Sequence, residues 1–183
     1  MIKICAPFKN CKLTNLTQGF HKDHQANDFA SSYGTFLVAP FNAKVANVTG
    51  AETFDGKDDL LRNGCGVRLV SVEDPSISIS YWHCQPVFPV SKGDTVLQGK
   101  IVAMMGNTGW VQQGPNLVPI DIRLIPPYPG THVHISMGQQ IPGGMYAALD
   151  MSKLIDFNIP ININWIEAIS VILQKMIQLL KGH

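Results

Sequence analysis

The stretch YGTFLVAPFNAKVANVT, residues 33–49, holds two apolar runs, at 35–40 and 43–49, separated by Pro40-Phe41-Asn42 and closed by Gly50. Runs of the same kind recur at 66–72, 77–83, 100–105 and 132–137. They are rich in Val, Ile and Thr and bounded by Gly, Pro, Asn or Asp, which is the pattern of short β-strands. Parallel strands need crossover helices, and the spacing leaves no room for them, so an antiparallel assembly with tight turns is expected. Within Ser91–Lys100, Gly93-Asp94 and Gly99 bracket one more very short strand. Between Gly109 and His132 lie Pro115, Pro119, Pro126, Pro127 and Pro129, and this stretch reads as an extended surface loop.

The chain has 183 residues, 45% of them apolar and 15% charged, which suits one globular domain with room for an appendage. A formal net charge of +1 gives no strong pull toward nucleic acid. No apolar run is long enough to span a bilayer. The start, MIKICAPFKNCKLT, lacks a sustained apolar stretch before a cleavage site, so no secretory signal is expected in it. Cys5, Cys11, Cys65 and Cys84 do not show the paired spacing of a structural zinc site. Cys5 and Cys11 can close a small disulfide loop, and Cys84 is expected to face the core.

The pattern changes after residue 150. From about Ile163 to Lys181 the apolar residues follow a helical period. Trp165, Ile169, Ile172, Met176 and Leu180 share one face, with Glu167, Ser170, Gln174, Gln178 and Lys181 on the other. Asn164 is placed to cap the start and Gly182 to end it. Such a helix packs on its own domain or on a second copy. A membrane-surface role is the weaker alternative, because the polar face is only slightly basic.

Five of the six histidines fall in three short clusters: His21 and His24, His83, and His132 with His134. On a strand, positions i and i+2 project from one face, so His132 and His134 present two imidazoles side by side. Alone, that pair is as readily two surface histidines. His24 and Asp28, four apart, add a nitrogen and an oxygen donor. With one histidine of the late pair they make three protein ligands and leave a fourth position for water, as a catalytic zinc requires. His21 is a weaker alternative to His24, and His83 by itself reads as a core or exposed histidine at a strand end, a reading that the clusters together change.

His24-Gln25-Ala26-Asn27-Asp28, the lone His83 at a strand end, and His132-Val133-His134 together resemble the signature of the lysostaphin-type, or LytM-like, zinc metallopeptidases. The connecting text is similar too: YGTFLVAPFNAKV resembles that family's early strand pair, and SKGDTVLQGKIVAMMGNTG its glycine-bounded hairpin. ALDMSKLI resembles a segment that follows the domain in phage-type members. The likeness runs over about residues 17 to 157.

The resemblance implies a mainly β fold, an antiparallel sheet with a groove of the duplicated-hybrid-motif barrel-sandwich kind, here followed by a C-terminal α-helix. It divides the chain into a zinc metallopeptidase domain, 1–157, and an amphipathic tail, 158–183. It implies one Zn2+ held by His24, Asp28 and His134. It makes His132 the general base, and gives His83 the task of holding the reacting water or, when protonated, the oxyanion. The implied substrate is a stem or cross-bridge peptide of bacterial peptidoglycan, met in the cell wall, in the periplasm or outside the cell. Without a visible signal, carriage on a virion or release by lysis would bring the protein there.

Alternatives are a non-catalytic wall-recognition module, or a phage tail or assembly module that uses the helix for self-association or structural partners. A lipoyl-type carrier shares the Gly93-Asp94 hairpin, but Met104-Met105 stands where its lysine is sought. Four departures stand out: Ala26 and Ala43 where the family favours glycine, the inserted stretch Trp110–Thr131, and Ser136 where an acidic residue usually follows the late histidines. The insertion is expected at the rim of the groove.

Overall fold

The computed structural model describes residues 2–50, 63–123 and 125–181. Twelve strands are present among them: β1 Leu16–Gln18, β2 Asn27–Phe29, β3 Phe36–Val38, β4 Ala43–Thr49, β5 Cys65–Ser71, β6 Ile77–Cys84, β7 Thr95–Val96, β8 Ile101–Met104, β9 Gln112–Gln113, β10 Asn116–Leu117, β11 Val133–Gln140 and β12 Tyr146–Leu149. The helices are α1 Ile120–Arg123 and α2 Trp165–Lys181. The main sheet runs β1-β2-β11-β6-β5-β4-β7, with β12 on the far end of β11, and all its pairings are antiparallel. β3 and β8 form a small second sheet, and β9 and β10 a separate hairpin.

Period-two alternation decides what each face of the main sheet carries. Val67 and Leu69 of β5, Ile79 and Tyr81 of β6, and Val133, Ile135 and Met137 of β11 point inward and are almost fully buried. Phe29, Leu37, Phe88 and Met105 fill the same core. Each side chain of this size stabilises the fold by about 1.5–3 kcal/mol when fully buried. The intervening residues, Asp28, His134, Ser136, Ser80 and Arg68 among them, therefore share the opposite face. The inserted stretch is more ordered than an extended loop: it forms the β9–β10 hairpin and the single turn α1.

The small sheet has two covered faces. Leu37 and Ala103 join the main core, while Val38 and Ile101 pack with Cys5 and Ala168 of α2. Trp165 meets the Phe36 ring at 5.2 Å. The helix thus docks on its own domain, but through Ala168 and Ile172, one turn apart, rather than through the whole predicted apolar face. Ile169, Met176 and Leu180 of that face remain exposed, as do Ile166 and Leu173 beside it. The Asn164 carbonyl accepts from the Ala168 amide, which places Asn164 at the helix start as expected; Gly182 lies outside the described residues. No helix among the described residues is long and apolar enough to cross a membrane. Cys5 and Cys11 are free rather than bridged, and burial pushes their thiols up to about 11 and about 12.

Candidate metal centre

Register brings the sequence-remote candidate ligands together. Asp28 of β2 is paired with His134 of β11, both on the outer face of the main sheet. His24 precedes β2 in a tight turn closed by reciprocal backbone hydrogen bonds with His21, which returns its ring toward Asp28. His134 Nδ1 lies 2.9 Å from Asp28 Oδ1, and His24 Nε2 lies 3.4 Å from Asp28 Oδ2. One donor atom from each of His24, Asp28 and His134 falls within 4.8 Å of the other two. His21 is exposed and outside this group.

Hydrogen bonds on the far side of each ring settle which nitrogen faces inward. A carbonyl oxygen can only accept, so the ring nitrogen beside it carries the proton. His24 Nδ1 donates to the Gly19 carbonyl at 3.2 Å, which leaves Nε2 bare. His134 Nε2 sits 3.3 Å from Ser136 Oγ, which leaves Nδ1 toward Asp28. His24 Nε2 and Asp28 Oδ1 are buried and have no hydrogen-bond partner. Orphaned polar atoms of this kind cost free energy unless something satisfies them. Two imidazole nitrogens turned in on one carboxylate are a fit donor set for zinc. Burial works to raise the Asp28 carboxyl, but the close His134 ring and the nearby His132 and His24 outweigh it and hold it below the usual range.

His132 and His83 complete the cluster without joining the three donors. His132 lies just before β11, bridged to Gly106, and its Nδ1 donates to the Gly130 carbonyl at 2.8 Å. Its Nε2 is 4.0 Å from Asp28 Oδ2. Burial is the main reason its pKa falls below the histidine norm. His83 stands next to Trp82 at the end of β6, and simple alternation would turn it into the core. Instead its backbone adopts a left-handed conformation with φ of 61°, and its ring lies 4.7 Å from that of His132. Such a φ is unfavourable for a residue with a Cβ and persists only when its surroundings hold it. The holder is Thr108, whose carbonyl accepts from His83 Nδ1 at 2.7 Å. Burial pushes His83 down to about 3. Burial thus favours a neutral His83 ring whose Nε2 carries no proton.

The insertion carries a part that no sequence pattern singled out. Arg123 of α1 is 3% exposed and donates through Nη1 to the carbonyls of Asn107, at 3.2 Å, and Gly109. Asn107 Nδ2 donates back to the Arg123 and Pro129 carbonyls. Thr108, which orients His83, lies between the two clamped carbonyls. Gly109 cannot be replaced cheaply, because its φ is +76° and a Cβ would meet Gly64 N at 2.2 Å.

The five residues open into a groove of about 1000 Å³. Thr17 and Gln18 of β1 and Trp110, Gln112 and Gln113 of the insertion line it, so the insertion borders the groove.

Comparison with known proteins agrees with this geometry. The family model described as peptidase family M23 matches residues 22–140, which include all five histidine and aspartate positions. A relative described as an uncharacterized metalloprotease of Haemophilus influenzae is 30% identical over 115 residues. That match covers 63% of this chain and 22% of the relative, so the chain spans about a fifth of the length of the curated relative it matches. Among solved structures, LytU superposes with a TM-score of 0.53 at 23% identity, over 78% of this chain and 84% of LytU. Csd3 of Helicobacter pylori gives a TM-score of 0.56 at 16% identity, over all of this chain and 42% of Csd3. At these identities the two structures speak for the fold alone.

Proposed function

The chain belongs to peptidase family M23, and from that premise we propose that it is a zinc-dependent endopeptidase that hydrolyses peptide bonds in bacterial peptidoglycan, within stem or cross-bridge peptides. The observation that carries this reading is the convergence of His24 Nε2, Asp28 and His134 Nδ1 at the floor of an open groove, two of the residues with orphaned buried atoms.

His24, Asp28 and His134 hold the ion, which when bound acidifies water and polarises a carbonyl. His132 Nε2 is bare and neutral at pH 7, so it accepts the proton of the attacking water and returns it to the leaving amine as the C–N bond breaks. His83 Nε2 accepts a second hydrogen bond from that water and so orients its lone pair toward the carbonyl carbon. The groove-lining residues Thr17, Gln18, Trp110 and Gln112 hold an extended peptide across these atoms.

Digestion of purified peptidoglycan, with mass analysis of the fragments, tests the reading. New amino termini that disappear with a chelator and return with zinc support it; an unchanged wall with zinc bound refutes it.

A second reading is supported by the exposed apolar residues of α2, Ile166 and Leu180 above all: the chain is also an assembly module, such as a phage tail component, that meets a partner or a second copy through this helix. It is compatible with catalysis and also gives a route to the wall. Light scattering on the intact chain and on an Ile166→Glu, Leu180→Glu variant tests self-association.

A further inference from the structure

A second cavity, of about 430 Å³, lies on the outer face of the main sheet beside the metal centre. The two adjoin at β11: Ser136 lines the cavity, and His134, hydrogen-bonded to it, lines the groove. Its floor is made of small residues on two neighbouring strands, Ser136 and Gly138 of β11 and Ser78 and Ser80 of β6, with Arg68 of β5 at its side. Tyr146 of β12 lies across Gly138, where a Cβ would meet its ring at 2.7 Å.

Arg68 is the one charged side chain lining this trough. Its Nη2 donates to Tyr146 Oη at 2.9 Å and to Ser78 Oγ at 3.3 Å, and Ser78 Oγ is itself hydrogen-bonded to Tyr146 Oη. The Arg68 Cζ lies 5.5 Å from the Tyr146 ring centroid. These contacts lay the guanidinium along the sheet and occupy one nitrogen. Among the described residues Nε and Nη1 have no hydrogen bond, and Arg68 has no acidic partner. A guanidinium fixed in this way keeps its Nη1 and Nε donors and its charge for a carboxylate, which it can meet with a single charge-assisted hydrogen bond.

We propose that this trough is a subsite for a carboxylate of the substrate peptide, recognised by Arg68 with Tyr146 as its support. The identity of the peptide rests on the peptidase reading above. From His134 to Arg68 is one two-residue step along β11 and two strand spacings across, about 12 Å between Cα atoms. An extended chain covers that in about three to four residues. The carboxylate therefore stands that far from the scissile bond, as a chain terminus or as a side-chain group.

The test uses soluble muropeptides, either native or with their carboxylates converted to amides by carbodiimide and ammonia. Binding is measured by calorimetry on zinc-loaded His132→Ala protein, which does not turn substrate over, and on the same protein carrying Arg68→Met or Arg68→Lys. Native muropeptides should bind about tenfold more tightly than the amides, Arg68→Met should abolish that preference, and Arg68→Lys should keep part of it. With His132 intact, Arg68→Met should raise KM for native muropeptides and leave kcat unchanged. Equal binding of native and amidated forms, or no binding of either, overturns the subsite, as does a preference that survives Arg68→Met. Preferential binding without cleavage by the wild-type chain leaves the subsite standing and removes the peptidase reading instead. Amidating only the terminal carboxylate separates the two sources of the group.

Discussion

Ser136 Oγ lies 3.3 Å from His134 Nε2, and the Nδ1 on the opposite side of that ring lies 2.9 Å from Asp28 Oδ1. The serine fixes the ring orientation that turns Nδ1 inward, although an acidic residue is the usual neighbour in the resemblance noted above. Outer partners of this kind typically contribute 10–100-fold to metal affinity. Ser136→Ala should therefore weaken zinc binding by about tenfold, and Ser136→Glu should restore it. Competition with a chromophoric chelator measures both.

His132 and His83 should separate from the ligand set in their effects. His132→Ala should retain zinc and lose turnover by about 10²–10⁴-fold, the range for a general base. His83→Ala should also retain zinc and lower kcat. Metal analysis beside a wall-turbidity assay checks both; loss of zinc in either variant would move that residue into the ligand set.

Acid should unfold the metal-free protein through these rings. In the unfolded chain a histidine takes up its proton near pH 6.5; folded His83 resists until about 3, and folded His132 is lowered in the same direction. Between those values the unfolded state binds more protons, so stability falls as pH falls. Asp28, held below its usual range, adds to the loss at lower pH with the same sign. Thermal unfolding in EDTA should show Tm dropping steeply from pH 7 to 4.5, and His83→Gln should flatten that slope.

The insertion is bound to the site rather than ornamental to it. Arg123→Met would strip the buried Asn107 and Gly109 carbonyls of a charged donor. Leaving such groups unsatisfied costs about 1–3 kcal/mol, and more for a charged partner. Tm should fall and kcat should drop with little change in KM, because Thr108 loses its hold on His83. Calorimetry and steady-state kinetics give the two readouts.

Much of this was legible in the residues. Val, Ile and Thr runs between turn formers marked β3, β4, β5, β6, β8 and β11, since alternation and chain reversal are local properties. His24 and Asp28 with one histidine of the late pair were recognisable from spacing and donor type, and the resemblance pointed to His134, while their convergence depends on the β2–β11 register, which no local pattern specifies. His83 was singled out through the resemblance, while the left-handed backbone that turns it to the groove breaks strand alternation, and its cause lies 25 residues away at Thr108. Arg123 gave no signal: a lone arginine in a proline-rich stretch reads as solvated, and only the packed loop gives it two carbonyls to hold. The helix was found but its docked face was misjudged, because small Ala168, not bulky Ile169, fits against Val38 and Ile101.

Equilibrium dialysis against zinc, followed by metal analysis of the wild-type chain and of His24→Ala, Asp28→Ala and His134→Ala, bears most directly on the metal centre. The wild type should hold one zinc per chain, and each variant should hold essentially none while remaining folded by circular dichroism. Full zinc occupancy in all three variants would contradict the ligand assignment on which the proposed chemistry stands.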